Sequence, residues 1–160
     1  MHEVCLRPFA PEDTDWLSAA HGRLYAEAEG FDETFQPLVA GILADFVAGH
    51  DASCEAGWIA EQNGQRLGSI FCVRHSADTA KLRLFLLMPD ARGQGLGKRL
   101  LQTCMGFARR SGYTRMSLWT HESHRAACAL YRAAGWQLVS SKPVHSFGID
   151  LVEQAWEIEL

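Results

Sequence analysis

Residues 84–97, LFLLMPDARGQGLG, decide how the chain is read. An apolar strand runs into a Pro89-Asp90 turn and then into Arg92-Gly93-Gln94-Gly95-Leu96-Gly97. The helix-patterned segment KRLLQTCMGFARR follows at once. Such a junction turns a row of backbone N–H groups and a helix N-terminus toward one point, a place to hold phosphate. Glycines at 93, 95 and 97 let the main chain approach an anion with no Cβ in the way. Apolar positions 96, 100, 101, 104, 107 and 108 keep one face of the following helix, and Gly112 is placed to end it.

Upstream of this junction, Glu3 to Pro8 reads as a strand. Pro11 opens a helix whose first turn carries Glu12, Asp13 and Asp15, suited to its positive end. Asp32 is placed to cap a second helix with apolar positions 35, 38, 39, 42, 43, 46 and 47, which predicts one buried face. GWIAEQ and QRLGSIFCVRH flank Asn63-Gly64, a strong hairpin signal, and Lys81 to Met88 forms the next strand. Downstream, RMSLWT is a short strand, and Ser123 is placed to cap the helix HRAACALYRAA, which Gly135 stops. The strand WQLVSS, a loop PVHSFGID and the alternating strand EQAWEIEL complete the chain. The predicted order is β-α-α-β-β-β-α-β-α-β-β, in one domain spanning residues 1–160.

Composition is that of an ordinary globular protein: 160 residues, 48% hydrophobic and 21% charged, with no apolar run of membrane-spanning length. The N-terminus carries no signal-peptide pattern, and the scattered Cys5, Cys54, Cys72, Cys104 and Cys128 form no C-x-x-C, so a reduced, cytoplasmic protein is expected. Net charge is −4, unevenly spread. Residues 11–36 hold seven acids against one base, and residues 91–116 hold six bases and no acid. The basic block surrounds the glycine loop, as a polyphosphate ligand favours; two solvated helix faces of opposite sign fit the charge equally well. An acidic chain with no binding motif disfavours nucleic acid.

Spacing separates the phosphate chemistries. A Walker A loop needs a hydroxyl after Gly97-Lys98, where Arg99 stands. A dinucleotide fingerprint needs G-x-G-x-x-G directly after the strand, whereas here G-x-G-x-G follows Pro89-Asp90-Ala91-Arg92. The pattern Q/R-x-x-G-x-G/A is met by Arg92, Gly95 and Gly97. At His124 to Trp136, Ala127, Leu130, Tyr131, Gly135 and Trp136 match N-x-x-A-x-x-L-Y-x-x-x-G-[FW], with histidine in place of asparagine. With these motifs the chain resembles the GNAT superfamily of N-acetyltransferases over nearly its whole length. A narrower resemblance, carried by HGRLYAEAEGFDETF and HSFGIDLVEQAWEIEL, is to the acetyltransferase half of MarR-type regulator–acetyltransferase fusions. No winged-helix half fits in these residues, so the regulatory role of such fusions does not carry over.

The resemblance implies an α/β (α+β) fold: a mixed, mostly antiparallel sheet of about seven strands with helices on both faces. It implies acetyl-CoA as co-substrate, its pyrophosphate held by Arg92, Gly93, Gln94, Gly95, Leu96, Gly97 and Lys98. The main chain of Leu86, Leu87 and Met88 would face the pantetheine and thioester, with an N–H near Leu87 as oxyanion donor. Tyr131 lies two helical turns after His124, on the same face, and a phenol with a pKa of ~10 is protonated at neutral pH and can protonate the leaving thiolate. The histidine at 124 can donate a hydrogen bond to a pantetheine or phosphate oxygen, or stand exposed in the first turn. Glu122 and His121 follow the short strand on the acceptor side. No general base is fixed by the sequence: Tyr25, Glu29 and His75 are further candidates, and all five read more readily as solvated surface residues. The acid-rich first helices suggest a mouth attractive to a cationic amine. The implied reaction is N-acetylation of a small-molecule or peptide amine, without metal, nucleic acid or membrane. The alternative is a catalytically weak acyl-CoA-binding sensor module. The strand EQAWEIEL is expected to offer an edge for a homodimer.

Overall fold

The computed structural model describes residues 3–160, and the predicted order of elements is realised in them. Seven strands form one sheet in the order β1-β2-β3-β4-β5-β7-β6. They are β1 (Cys5–Pro8), β2 (Ala56–Gln62), β3 (Gln65–Arg74), β4 (Thr79–Leu87), β5 (Arg115–His121), β6 (Gln137–Ser146) and β7 (Ile149–Glu159). Every pairing is antiparallel except β4 with β5.

Helices α1 (Thr14–Glu29) and α2 (Phe35–Gly49) cover one face, packing Leu17, Leu24, Val39 and Leu43 on Ile59, Phe71 and Leu86. Helices α3 (Leu96–Arg110) and α4 (Arg125–Ala133) cover the other, with Leu100, Leu101 and Tyr131 against Ile70, Met116, Leu118 and Trp156. Strand alternation assigns the rest: Leu118 joins the α3–α4 core, so its neighbours Ser117 and Trp119 lie on the α1–α2 face. Trp119 is 64% exposed there.

The Asn63-Gly64 hairpin forms as predicted, with φ of 54° and 76° at its two residues, the positive pair that a tight hairpin turn demands. A second hairpin replaces the loop expected at 143–150: β6 and β7 run on to a turn at Phe147-Gly148, with φ of 56° and 81°. Only glycine fits at 148, since a Cβ there would stand 2.8 Å from Asp32 Oδ2. The segment EQAWEIEL is not an edge. Strand β7 lies between β5 and β6, where Trp156 pairs with both Leu118 and Leu138; the edges are β1 and β6.

Helix starts also differ from expectation. Asp32 Oδ1 accepts from the Thr34 N–H (3.0 Å) and hydroxyl, forming a turn ahead of α2 rather than capping its first turn. The buried stripe of α2 is Phe35, Val39, Leu43 and Phe46, while Leu38 and Val47 face outward. Helix α4 starts after His124, and neither Ser123 nor another side chain caps it.

The acidic first helix is used structurally. Asp13, 1% exposed, accepts from Arg7 of β1 (2.8 and 2.9 Å), Arg66 of β3 (2.8 Å) and the Ala10 N–H (2.8 Å). The hydrogen bond from Arg7 leads in holding its carboxyl well below the usual carboxylate range.

Candidate active site

Strands β4 and β5 pair only through Thr79–Arg115, Ala80–Met116 and Lys81–Ser117. Beyond that point β4 stays with β3 and β5 stays with β7, so a wedge opens between them. Its cause is local. The β3–β4 register slips between Ser69 and Phe71, leaving Leu84 and Phe85 opposite Ile70, and Leu84 takes φ 51°. A bulge of this kind bends a strand and increases its twist, here turning β4 away from β5. Fully buried Ser69 seals it, donating its hydroxyl to the Leu84 carbonyl at 2.7 Å.

Alternation then decides what faces the wedge. The Met88 N–H donates to Leu67 O (2.8 Å), so the amides of Leu86 and Met88 point to β3. The N–H and C=O of Leu87 point the opposite way, into the wedge. One Arg92 nitrogen approaches that carbonyl at 3.4 Å.

At the end of β4 the loop Arg92–Gly95 leads into α3. Gly93 and Gly95 have φ of 80° and 76°, and a Cβ on either would meet nothing within 4 Å, so their backbone lies open to an incoming group. Among the described residues the amides of Gly93, Gln94 and Gly95 have no partner, and those of Leu96, Gly97 and Lys98 are the free first turn of α3. Gly97 serves packing: a Cβ would stand 2.9 Å from Leu130 Cδ1, so glycine lets α3 and α4 meet. The residues expected to hold a pyrophosphate therefore form one concave, positive strip.

Helix α4 brings Tyr131 to the wedge from the other side. Its ring, 3% exposed, lies against Phe85, Trp136 and Trp156, at 6.1, 5.7 and 6.1 Å. Burial holds its phenol well above the usual pKa, so it keeps its proton. No acceptor among the described residues takes that proton.

Three of the acceptor-side candidates, Glu29, Tyr25 and His121, converge on His124, which was expected to face the cofactor. Glu29 of α1 and His124 before α4 approach at 2.7 Å, with side-chain exposures of 8% and 18%. Helix α1 belongs to one core and α4 to the other, so this contact crosses the sheet plane where β4 and β5 have parted. The two atoms stand at ion-pair distance but outside aligned hydrogen-bonding geometry, since Glu29 Oε2 keeps no donor in that geometry. Burial pushes the Glu29 carboxyl up, but its contacts with His124 and Ser123 outweigh that and leave it lowered. His124 meets the Tyr25 ring edge-on at 4.7 Å, and His121 lies 6.0 Å from His124. Burial lowers the His121 pKa and raises that of Tyr25.

Glu122 follows His121 but is exposed, its N–H held by Val152 O (2.8 Å). His75 lies at the far end of β4, in the turn closed by Thr79. The 31–35 and 144–149 segments close on each other: Phe31 stacks on Phe147 at 4.8 Å and the Asp32 N–H donates to Phe147 O (2.9 Å). Of the acids in residues 11–36, Asp13 is consumed by arginines, Glu12, Asp15, Glu27 and Glu33 are exposed, and Glu29 is the one paired with His124. Among the described residues no three His, Cys, Asp or Glu side chains gather to hold a metal.

His21 was missed in the sequence. It is buried on α1, its Nδ1 2.9 Å from Leu17 O and its Nε2 without a partner. Its spacing from Leu17, Leu24 and Tyr25 on one helical face was the available signal.

The model of the Acetyltransferase (GNAT) family matches residues 14–136, from the start of α1 to Trp136. The chain belongs to the GNAT acetyltransferase family. N-acetyltransferase family 8 member 2 of Rattus norvegicus is 32% identical over 100 residues, 59% of this chain and 44% of that one. The chain thus spans about half the length of the curated relatives it matches. The yncA protein of Salmonella typhimurium, solved with its cofactor acetyl-CoA, matches with a TM-score of 0.80 at 18% identity, covering 98% of this chain and 94% of that one. A GNAT superfamily phosphinothricin acetyltransferase of Sinorhizobium meliloti in complex with acetyl-CoA gives 0.79 at 21%, covering 98% and 88%. At these identities the likeness is one of fold, and the sheet described above is the GNAT sheet.

Proposed function

We propose that this GNAT chain, as one domain over residues 1–160, transfers the acetyl group of acetyl-CoA to the amine of a small molecule or peptide by direct attack on the thioester. The observation that carries this reading is the wedge itself. It is supported by three features: a Leu87 N–H turned away from β3, unpaired amides at Gly93–Lys98, and a buried Tyr131 that keeps its proton. Two solved structures of the same fold hold acetyl-CoA, which supports the ligand.

Acetyl-CoA supplies the activated acyl group. The amides of Gly93 to Lys98, with the charges of Arg92 and Lys98, hold its pyrophosphate, and His124 faces the pantetheine arm. Leu86 and Met88 keep their side chains in the α1–α2 core and their amides on β3, leaving the Leu87 N–H to stabilise the oxyanion as the amine adds to the carbonyl. As the C–S bond breaks, the Tyr131 hydroxyl protonates the departing thiolate. The amine's proton passes to the group at the wedge mouth, Glu29 with His124 and His121, and Glu122 stands at its solvent side. Tyr25 forms the inner wall of that mouth. The two end segments support a likeness to the acetyltransferase half of MarR-type fusions. Five free cysteines support a reducing, cytoplasmic setting, and no described helix is long and apolar enough to cross a membrane.

Tyr131→Phe tests the reading. The variant should fold and bind acetyl-CoA as the wild type does while CoA release with an accepted amine falls roughly 10-fold or more. Unchanged turnover removes Tyr131 from its role. Acetyl-CoA binding with no CoA release across a broad amine panel points instead to a sensor module.

A further inference from the structure

We propose that Lys81, Arg83 and Trp119 form a subsite for a carboxylate on the acceptor, set back along β4 from the amine; this rests on the acetyltransferase reading. The bulge places Arg83 and Leu84 in succession on the α1–α2 face, where both line a cavity of about 320 Å³ with Phe46, Phe71, Arg74 and Lys81. Lys81 holds the last paired position before the wedge, and its Nζ lies 4.1 Å from the Trp119 ring on β5. Lys81, Arg83 and Trp119 therefore surround the point at which the strands part.

Neither cation has an ion-pair partner among the described residues. Lys81 and Arg83 stand two residues apart on one side of β4, both partly buried, and neither makes an ion pair or hydrogen bond with a described residue. Two acids, Glu55 and Asp45, line the same cavity, and neither is ion-paired with Lys81 or Arg83. Glu55 accepts the N–H groups of Asp51 and Arg74 (2.8 and 2.9 Å), Asp45 is exposed on α2 with no ion pair, and Glu157 pairs with Arg115 at 3.7 Å. His50 is stacked on Phe46 and bonded to its carbonyl at 2.8 Å. Partly desolvated like charges with no counter-ion are costly, and a carboxylate seated between them relieves both desolvation and repulsion. Phe31 and Asp32 close on Phe147 at the mouth, while Trp119, beside Lys81, is largely exposed.

Spacing narrows the ligand further. Arg83 and Leu87 are four residues apart along β4, at most roughly 13 Å and less with the bulge between them, and an arginine side chain covers about half of that. An amine and carboxylate separated as at the two ends of a dipeptide fit this span. The site is thus suited to a short peptide with a free C-terminus, the reverse of the cationic acceptor suggested by the acid-rich first helices.

The test pairs the dipeptide Ala-Phe with its C-terminal amide as acceptors, using wild-type chain and Arg83→Gln, with CoA release as readout and circular dichroism to verify folding. The wild type should favour the free acid by about 10-fold or more in kcat/KM, mostly through KM, as for one charge-assisted bond. The ratio should fall to within about 2-fold in Arg83→Gln. Equal use of both dipeptides by the wild type, or a ratio unchanged in the variant, overturns the subsite while leaving the acetyltransferase reading intact. If neither peptide nor any other amine releases CoA, that reading fails, and the subsite is then judged by calorimetric titration with N-acetyl-Ala-Phe and its amide. Preference for the acid, lost in Arg83→Gln, supports it; no preference overturns it.

Discussion

Replacing Ser69 by alanine should damage both stability and cofactor binding, because one hydroxyl holds the bulge that opens the wedge. Ser69 has no solvent exposure, and its Oγ lies 2.7 Å from the Leu84 carbonyl. That carbonyl belongs to a residue at φ 51°, outside regular strand pairing. Removing its donor leaves a buried acceptor unsatisfied, at about 1–3 kcal/mol. For a chain of this size each kcal/mol moves Tm by ~2–4 °C, so a mid-range loss of about 2 kcal/mol means a fall of ~4–8 °C. The functional effect goes further. If β4 relaxes by drawing the extra residue back into register, every residue beyond it changes sides. Leu87 would then turn its N–H toward β3, and Leu86 and Met88 would turn theirs into the wedge. Thermal melts and acetyl-CoA calorimetry on Ser69→Ala measure the two consequences separately. A wild-type Tm together with a wild-type Kd would refute the claim that Ser69 maintains the bulge and that the bulge shapes the site.

Gly95→Ala puts a Cβ at φ 76° with no neighbour within 4 Å, so stability should drop by only about 1 kcal/mol while acetyl-CoA binding weakens, as calorimetry would show. Asp13→Asn leaves Arg7 and Arg66 facing a neutral group; both are 29% exposed, so the loss should be about 2–3 kcal/mol by urea titration, below that of a fully buried pair. The Asp13 pKa is lowered by folding, so its contribution is complete above the unfolded value of ~3.9 and disappears as pH falls below it. His21 acts in a higher window. Burial lowers its pKa to about 4 from 6.5, so the unfolded chain takes up the proton first as pH falls, and stability is complete above pH ~6.5 and declines toward 4. Between pH 7 and 5 that decline should reach about 2 kcal/mol in urea titrations and vanish in His21→Phe.

What could be read in the sequence was what the backbone demands locally. Asn63-Gly64 and the turn residues Gly93 and Gly95 need glycine for reasons contained within a few residues, so both were legible. The Phe147-Gly148 turn was not, because a phenylalanine at φ 56° is held by contacts from far away in the chain: Phe31 stacked on its ring and the Asp32 N–H on its carbonyl. The same limit hid the place of β7, since the alternation in EQAWEIEL specifies a half-buried strand and not how many neighbours it has. Nothing in LRLFLL announces a bulge, because Ser69, which stabilises it, comes from another strand.

The acceptor side shows this division most clearly. Glu29, Tyr25, His121 and His124 could each be named singly, but their meeting depends on a gap in the sheet that the β3–β4 bulge creates. Charge misleads for a related reason. A run of acids in sequence fixes no sign at the site, since Asp13 turns inward to two arginines and other acids face solvent, while Lys81 and Arg83 line the entrance. The half of the site that holds a pyrophosphate uses main-chain amides, so it tolerates side-chain change and leaves a readable glycine pattern. The half that selects the amine uses a few side chains brought together by tertiary structure, so substitutions there can redirect specificity without disturbing the fold. Exchanging Arg83 alone should therefore alter which amine is used while the acetyl-CoA half is retained.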